Sequence, residues 1–153
     1  MMLRGYRSSD SRLLSGPWLD GELAGLPLAC WPALAERSAV PPPSGPDEEL
    51  CIASGVGFVR YTELDWVHRR ARVETGLQPG HADAAGPLLQ AAVAYGLADL
   101  NLHKLHGWVT PATGVAATAP DLAGFRLEAS VPDGIWLDGR AVERQLWAVI
   151  RPD

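Results

Sequence analysis

The residues able to do chemistry gather between Arg72 and Val109, in the stretch RVETGLQPGHADAAGPLLQAAVAYGLADLNLHKLHGWV. Glu74 sits in a β-prone run, where a carboxylate can serve as a general base directly or through a water. Gly80-His81-Ala82 forms a turn just ahead of an alanine-rich helical pattern. The backbone N–H groups of such a turn, at a helix N-terminus, suit an anion, and His81 can contact a phosphate or shuttle a proton. A solvent-facing glutamate and an exposed loop histidine would give the same sequence with no function. His103 and His106 are three residues apart but straddle a helix–strand junction, so no metal site is expected. Glu63, Asp65 and Trp66 stand at a strand turn, where they can line a groove or merely coat a hairpin.

These residues need a strand, a turn, a helix and a second strand to hold them. Arg72 to Leu77 reads as the first strand, and the helix runs from Ala84 or Pro87 to Leu100. Leu89, Val93, Gly96, Leu97 and Leu100 fall on one helical face, and Asn101 is a suitable terminator. Lys104 to Thr110 is the second strand, broken by Pro111. Upstream, Leu50–Ala53, Val56–Leu64 and Arg72–Leu77 read as an antiparallel meander with turns at Ser54-Gly55 and Asp65–Arg70. Downstream come a weak helix from Gly114 to Ala123, cut by Pro120, and a strand from Phe125 to Val131. Turns follow at Pro132-Asp133-Gly134 and Asp138-Gly139, then a last strand from Arg144 to Ile150.

The first forty-six residues are less regular. Met2 to Arg7 suits a strand, and Ser9 or Asp10 can cap a short helix carrying Leu13 and Leu14. Leu28 to Arg37 carries a second helical pattern, with Pro32 in its first turn. VPPPSGP, residues 40–46, is a surface crossing in extended geometry. Too few residues precede it for a separate core, so residues 1–153 are expected to form one domain.

Composition narrows the function. A net charge of −5 excludes a nucleic-acid surface, and the cluster His68-Arg69-Arg70 with Arg72 reads as a solvated hairpin turn. Cys30 and Cys51 are two distant thiols, expected to be buried and reduced. No apolar run is long enough to span a bilayer. The N-terminus lacks the apolar core of a signal peptide, so the cytoplasm is the default compartment. Six tryptophans are many for this length, and Trp18, Trp31 and Trp136 can wall a pocket or pack in the core.

The order of elements resembles the GCN5-related N-acetyltransferase (GNAT) superfamily, in particular its ribosomal-protein-alanine acetyltransferase-like branch. Tyr95–Val109 (YGLADLNLHKLHGWV), Ala123–Ala129 (AGFRLEA) and Trp136–Arg151 (WLDGRAVERQLWAVIR) carry the resemblance, with VGFVRYTELDWVHRRARVETGL upstream. It implies an α/β fold: a mixed, largely antiparallel twisted sheet with a central helix after strand 4. It also implies transfer of an acetyl or other acyl group from acyl-coenzyme A to the amine of a small molecule or peptide. In the family the pantetheine lies between the splayed fourth and fifth strands and the pyrophosphate sits on the turn before the helix. Thr75, Gly76, Leu77, Gln78, Gly80, His81, Ala82 and Thr113 then become the expected coenzyme contacts, and Glu74 and His81 the catalytic candidates.

The coenzyme A motif is degenerate. Leu77 or Gln78 stands where the family has its Arg or Gln, Thr113 stands where an Asn is usual, and Pro120 replaces the tyrosine often used as general acid. Two alternatives follow: a repurposed enzyme doing coenzyme A-independent acid–base chemistry, such as a cyclisation or elimination, or a non-catalytic binding or dimerisation module. The last strands of this fold often pair between subunits, which leaves room for a homodimer.

Overall fold

From Glu49 onward, short apolar runs punctuated by glycine and polar turns fold into antiparallel strands. The computed structural model describes residues 1–18, 21–24, 37–39, 41–113, 118–137 and 139–153. Strand β4 (Glu49–Ala53) turns through Gly55, at φ +73°, into β5 (Gly57–Asp65). That φ is one glycine adopts without a steric cost. Strand β5 pairs with β6 (Arg70–Leu77), and the register slips between Thr62 and Asp65, a bulge at which Glu63 takes φ +53°.

Seven strands make the main sheet. Their order is β1 (Arg4–Gly5), β4, β5, β6, β7 (Lys104–Val109), β9 (Arg140–Ile150), β8 (Arg126–Leu137). Every neighbouring pair is antiparallel except β6 and β7. Parallel strands need a long crossover, and helix α1 (Ala85–Ala94) supplies it. The fold class expected from the sequence is the one observed.

Helix α1 buries Leu88, Leu89 and Ala92 against a core that includes Val73, Leu77 and Leu105. Leu88 and Ala92 lie deeper than Val93, Leu97 and Leu100, which are half-buried. The α-helix does not reach Leu100 as expected; it widens into a π turn over Tyr95–Asp99. The cause is close packing at Gly96, where a Cβ would stand 2.8 Å from Leu105 Cδ1 and 3.1 Å from Tyr61 Cε1. Asn101, at φ +55°, ends the element.

Two expectations are corrected. The N-terminal part is not simply helical. Ser8–Leu14 is a 3-10 helix, and strands β2 (Ser15–Trp18) and β3 (Arg37–Ala39) form a separate two-stranded sheet. Gly16-Pro17 stops the helix and leaves the chain extended, as a fixed proline φ without an N–H dictates. The helix expected at Leu28–Arg37 lies outside the described residues, except that Arg37 opens β3.

Pro132-Asp133-Gly134 is the second correction: these residues lie inside β8, not at a turn between strands. Asp133 takes φ +50°, and the register slips between Val131 and Ile135, so the signal makes a bulge. The hairpin turns at Gly139, at φ +76°, and β9 is accordingly longer than Arg144–Ile150. The short helix α2 (Thr118–Leu122) carries Pro120 in its first turn, where a missing N–H is tolerated.

The β5–β6 ladder tolerates no side chain at Gly57, where a Cβ would collide with the Gly76 carbonyl oxygen. Gly57→Ala is expected to cost about 3 kcal/mol through forced separation of the strands. A denaturant midpoint equal to that of the unaltered protein would contradict this close approach.

Candidate functional site

Strands β6 and β7 run side by side only at their N-terminal ends, through Arg70↔Lys104, Ala71↔Leu105 and Arg72↔His106. Beyond those pairs they part, and the opening would leave inward N–H and C=O groups unpaired. The chain fills it with its own backbone. Gly21 to Leu23 lies between the two strands, and Glu22 makes a parallel bridge to Trp108. On the β7 side, Trp108 N–H donates to the Gly21 carbonyl at 3.1 Å and Leu23 N–H to the Trp108 carbonyl at 2.7 Å. On the β6 side, Thr75 N–H donates to the Glu22 carbonyl at 3.0 Å and the Thr75 hydroxyl to the Leu23 carbonyl at 2.9 Å. The segment is a turn with one bridge residue, lodged in the cleft and buried from Gly21 to Ala24.

Two carboxylates flank this segment. Glu74, on β6, is 1% exposed and accepts the Gly21 N–H. Its other oxygen lies 3.9 Å from Nε of Arg60 on β5. Arg60 is itself buried; it also donates to the Pro41 carbonyl and, at 3.2 Å, to that of Pro42, and it meets Glu48 at 3.4 Å. A buried carboxylate needs such a partner, since an unpaired ion in the interior is costly. The proline-rich crossing therefore holds Arg60 beside Glu74.

Glu22, 3% exposed, is the second carboxylate and has no place in the sequence reading. It accepts the Thr110 N–H at 3.0 Å, the Thr110 hydroxyl at 2.9 Å and the Arg144 guanidinium at 2.8 Å. The same guanidinium stacks over Trp108, 5.2 Å from the ring centroid. At Gly21, φ +80°, a Cβ would come 3.0 Å from Trp108 and close to Arg144 and Arg72. Glycine thus permits both the turn into the cleft and the tight fit.

Burial pushes the Glu22 carboxyl up from its ordinary value, against the pull of Arg144 and Thr110. A displaced Glu22 would face water and titrate near its ordinary value of about 4.3. Protonation therefore favours the lodged segment, and its hold weakens as pH rises above the ordinary carboxylate range. Arg144 and Arg72 face the segment at Gly21. Amide exchange at Leu23 and Trp108, corrected for its intrinsic pH dependence, is expected to show protection falling as pH rises. Protection that grows with pH would show that Arg144 outweighs burial.

The expected coenzyme contacts divide. Thr75 lines the cleft. Leu77 has its side chain in the core, so its use as a coenzyme side-chain contact is corrected. A Cβ on Gly76 would meet the Phe58 ring, which fills that side of the strand. The Gln78 amide donates to the Leu13 carbonyl and its N–H to the Val56 carbonyl at 2.7 Å. Gly80, φ +84°, has open space around it, and Ala82 begins a 3-10 turn. His81 is half-buried in the turn; its N–H donates to the Gln78 carbonyl at 3.1 Å. Thr113 donates to the Thr110 carbonyl at 2.7 Å, and Pro120 is buried in α2. Glu74 thus stands inside β6 and His81 in the turn that follows it.

Glu63 and Asp65 do line a groove, of about 380 Å³, with Arg70, Lys104, His106 and Glu128. Burial lowers the His106 imidazole from its ordinary value. Trp66 is exposed and donates to the Pro46 carbonyl at 3.2 Å. Trp136 is 69% exposed on β8, and Trp31 lies outside the described residues. Cys51 is buried and reduced, its thiol pushed up to about 12 by burial; Cys30 also lies outside the described residues. Among the described residues no group of three or more His, Cys, Asp or Glu could hold a metal, and no helix is long and apolar enough to cross a membrane.

No protein-family model matches the sequence, and no curated protein matches it. Solved structures match in fold. A point mutant of the spermidine N-acetyltransferase SpeG from Vibrio cholerae aligns with a TM-score of 0.73, over 98% of this chain and 95% of that one, at 18% identity. A chimera of the Vibrio cholerae enzyme and hSSAT gives 0.62 at 22% identity, over 69% of this chain and 66% of that one. The dodecameric Vibrio cholerae spermidine N-acetyltransferase in an intermediate state gives 0.63 at 22%, over 69% and 66%. This chain therefore spans just under two thirds of the length of the last two. At such identities the likeness carries architecture and leaves substrate open. The chain has the fold of the GCN5-related N-acetyltransferases, with its own residues 21–24 lodged in the cleft between β6 and β7.

Proposed function

We propose that the protein is an N-acyltransferase, passing an acetyl or other acyl group from acyl-coenzyme A to an amine in the cleft between β6 and β7. The observation that carries this reading is the cleft itself: two parallel strands part, aim backbone amides inward and keep a buried carboxylate at the edge. The lodged backbone of Gly21–Leu23 presents amides to both strands, and the pantetheine arm of the coenzyme carries amides too. That part fits once the segment leaves. The turn before α1 fits a pyrophosphate poorly, for reasons given below.

The bound coenzyme supplies the acyl group as a thioester open to attack by an amine. The remaining work falls to the chain. The Thr75 and Trp108 N–H groups, now bonded to residues 21 and 22, become donors for a carbonyl oxygen on which charge develops. Glu74, held beside Arg60, takes the proton that the amine must lose. A thiol leaves readily as thiolate, so Pro120 in place of a tyrosine does not bar the reaction.

The acceptor in this proposal is a primary amine. Spermidine acetylation by the structural neighbours suggests a polyamine, and the ribosomal-protein-alanine acetyltransferase-like motifs suggest a peptide N-terminus. Glu63, Asp65 and Glu128 line one groove, where they already meet Arg72, Arg70 and Lys104, so an incoming amine would have to share these carboxylates.

One observation favours a second reading. The cleft is filled, as expected of a fold member that has left coenzyme A behind and uses Glu74 for acid–base chemistry on a small metabolite. One titration separates the two. Acetyl-coenzyme A at about a hundred times its Kd should stabilise an acyltransferase by about 2.7 kcal/mol, and adding an amine should release free thiol. No stabilisation by acetyl-, malonyl- or free coenzyme A would overturn the first reading.

A further inference from the structure

We infer that the cleft recognises its donor by an extended diamide arm and not by a diphosphate, so that a pantetheine thioester serves this protein as well as a coenzyme A thioester. The inference rests on the acyltransferase reading and sharpens it.

The cleft's present occupant shows what it holds. Gly21 to Leu23 is a short run of amides, turned at Gly21 and bridged at Glu22, and both lips of the cleft bond to it. Trp108 donates through its N–H and accepts through its carbonyl, and Thr75 donates through its N–H and its hydroxyl. A pantetheine arm carries two amides in an extended chain and can take over these bonds. No charged group of the protein is needed for that exchange.

The other end of the site offers a diphosphate little. No Lys or Arg occurs between Arg72 and Lys104, a stretch that contains the whole turn and α1. Pro79 and Pro87 bring no N–H. The His81, Ala84 and Ala85 N–H groups are already bonded within the turn, to Gln78, His81 and Ala82. The Gln78 amide is turned away to Leu13. Asp83, exposed in the first turn, adds a negative charge where a cradle needs positive potential. Two phosphates placed here would meet like charge and few donors.

Occupation also requires exchange. Any ligand in the cleft must expel residues 21–24 and with them the Glu22 contacts to Thr110 and Arg144. The segment therefore competes equally with every donor and does not discriminate among them. Discrimination is left to the turn, which has little to discriminate with.

The test is calorimetric titration of the intact protein with coenzyme A, with pantetheine and with the nucleotide half alone. The expected result is a Kd for pantetheine within about threefold of that for coenzyme A, and no binding of the nucleotide half. A coenzyme A that binds more than about tenfold tighter than pantetheine overturns the inference and leaves the acyltransferase reading intact. Binding of neither ligand overturns both.

Discussion

Glu74→Gln is expected to slow amine acylation by about 10²–10⁴-fold, the range lost with a general base. The carboxylate is buried, one oxygen receiving the Gly21 N–H and the other facing Arg60. Glutamine keeps the acceptor for Gly21 but not the negative charge. Arg60 would retain Glu48 and the carbonyls of Pro41 and Pro42, so the sheet should stay folded at a cost of about 3 kcal/mol. Three readouts separate chemistry from structure. The kcat should fall while the KM for the donor holds, the pH–rate profile should lose its acidic limb, and the circular dichroism should be unchanged. A Glu74→Gln protein that is fully active would remove this carboxylate from the mechanism.

The second large effect concerns the lodged segment. Glu22→Ala should destabilise the protein by about 2–3 kcal/mol, because it strips charged hydrogen bonds from Thr110 and leaves Arg144 without its carboxylate. For a domain of this size that is a fall of about 5–10 °C in Tm. The same change should tighten binding in the cleft by about 10–100-fold, since the segment to be expelled is held more weakly. Loss of stability alone is what any core mutation gives. Loss of stability together with gain of affinity is particular to a segment that competes with the ligand. Unchanged affinity in Glu22→Ala would mean that the ligand goes elsewhere or that the segment never leaves.

Much of the fold was legible because its signals are local. The meander of β4, β5 and β6 follows from short apolar runs and a glycine turn, and α1 from its alanine-rich periodicity. Asn101 was readable as a terminator because the left-handed conformation is a property of the residue itself. The π turn over Tyr95–Asp99 was not readable, since it depends on Gly96 meeting Leu105 and Tyr61 across the core.

The candidate site was legible only where a residue sits on a regular strand. Glu74 could be named, but its partner Arg60 could not, because strand register decides that pair. The lodged segment left no trace in the sequence. Gly21-Glu22-Leu23-Ala24 is too short to show a period, and its partners lie 52 to 122 residues away. The Pro132-Asp133-Gly134 signal was real but ambiguous: Asp133 takes positive φ, which serves a bulge as well as a turn.

The central claim is that the cleft between β6 and β7 is a ligand site now held by residues 21–24. It is tested most directly by amide hydrogen exchange at Leu23, Thr75 and Trp108 while acetyl-coenzyme A or pantetheine is added. The account predicts that Leu23 loses protection as its bond to the Trp108 carbonyl is broken, while Thr75 and Trp108 stay protected by the incoming chain. Saturating ligand that leaves all three amides as they were would contradict it.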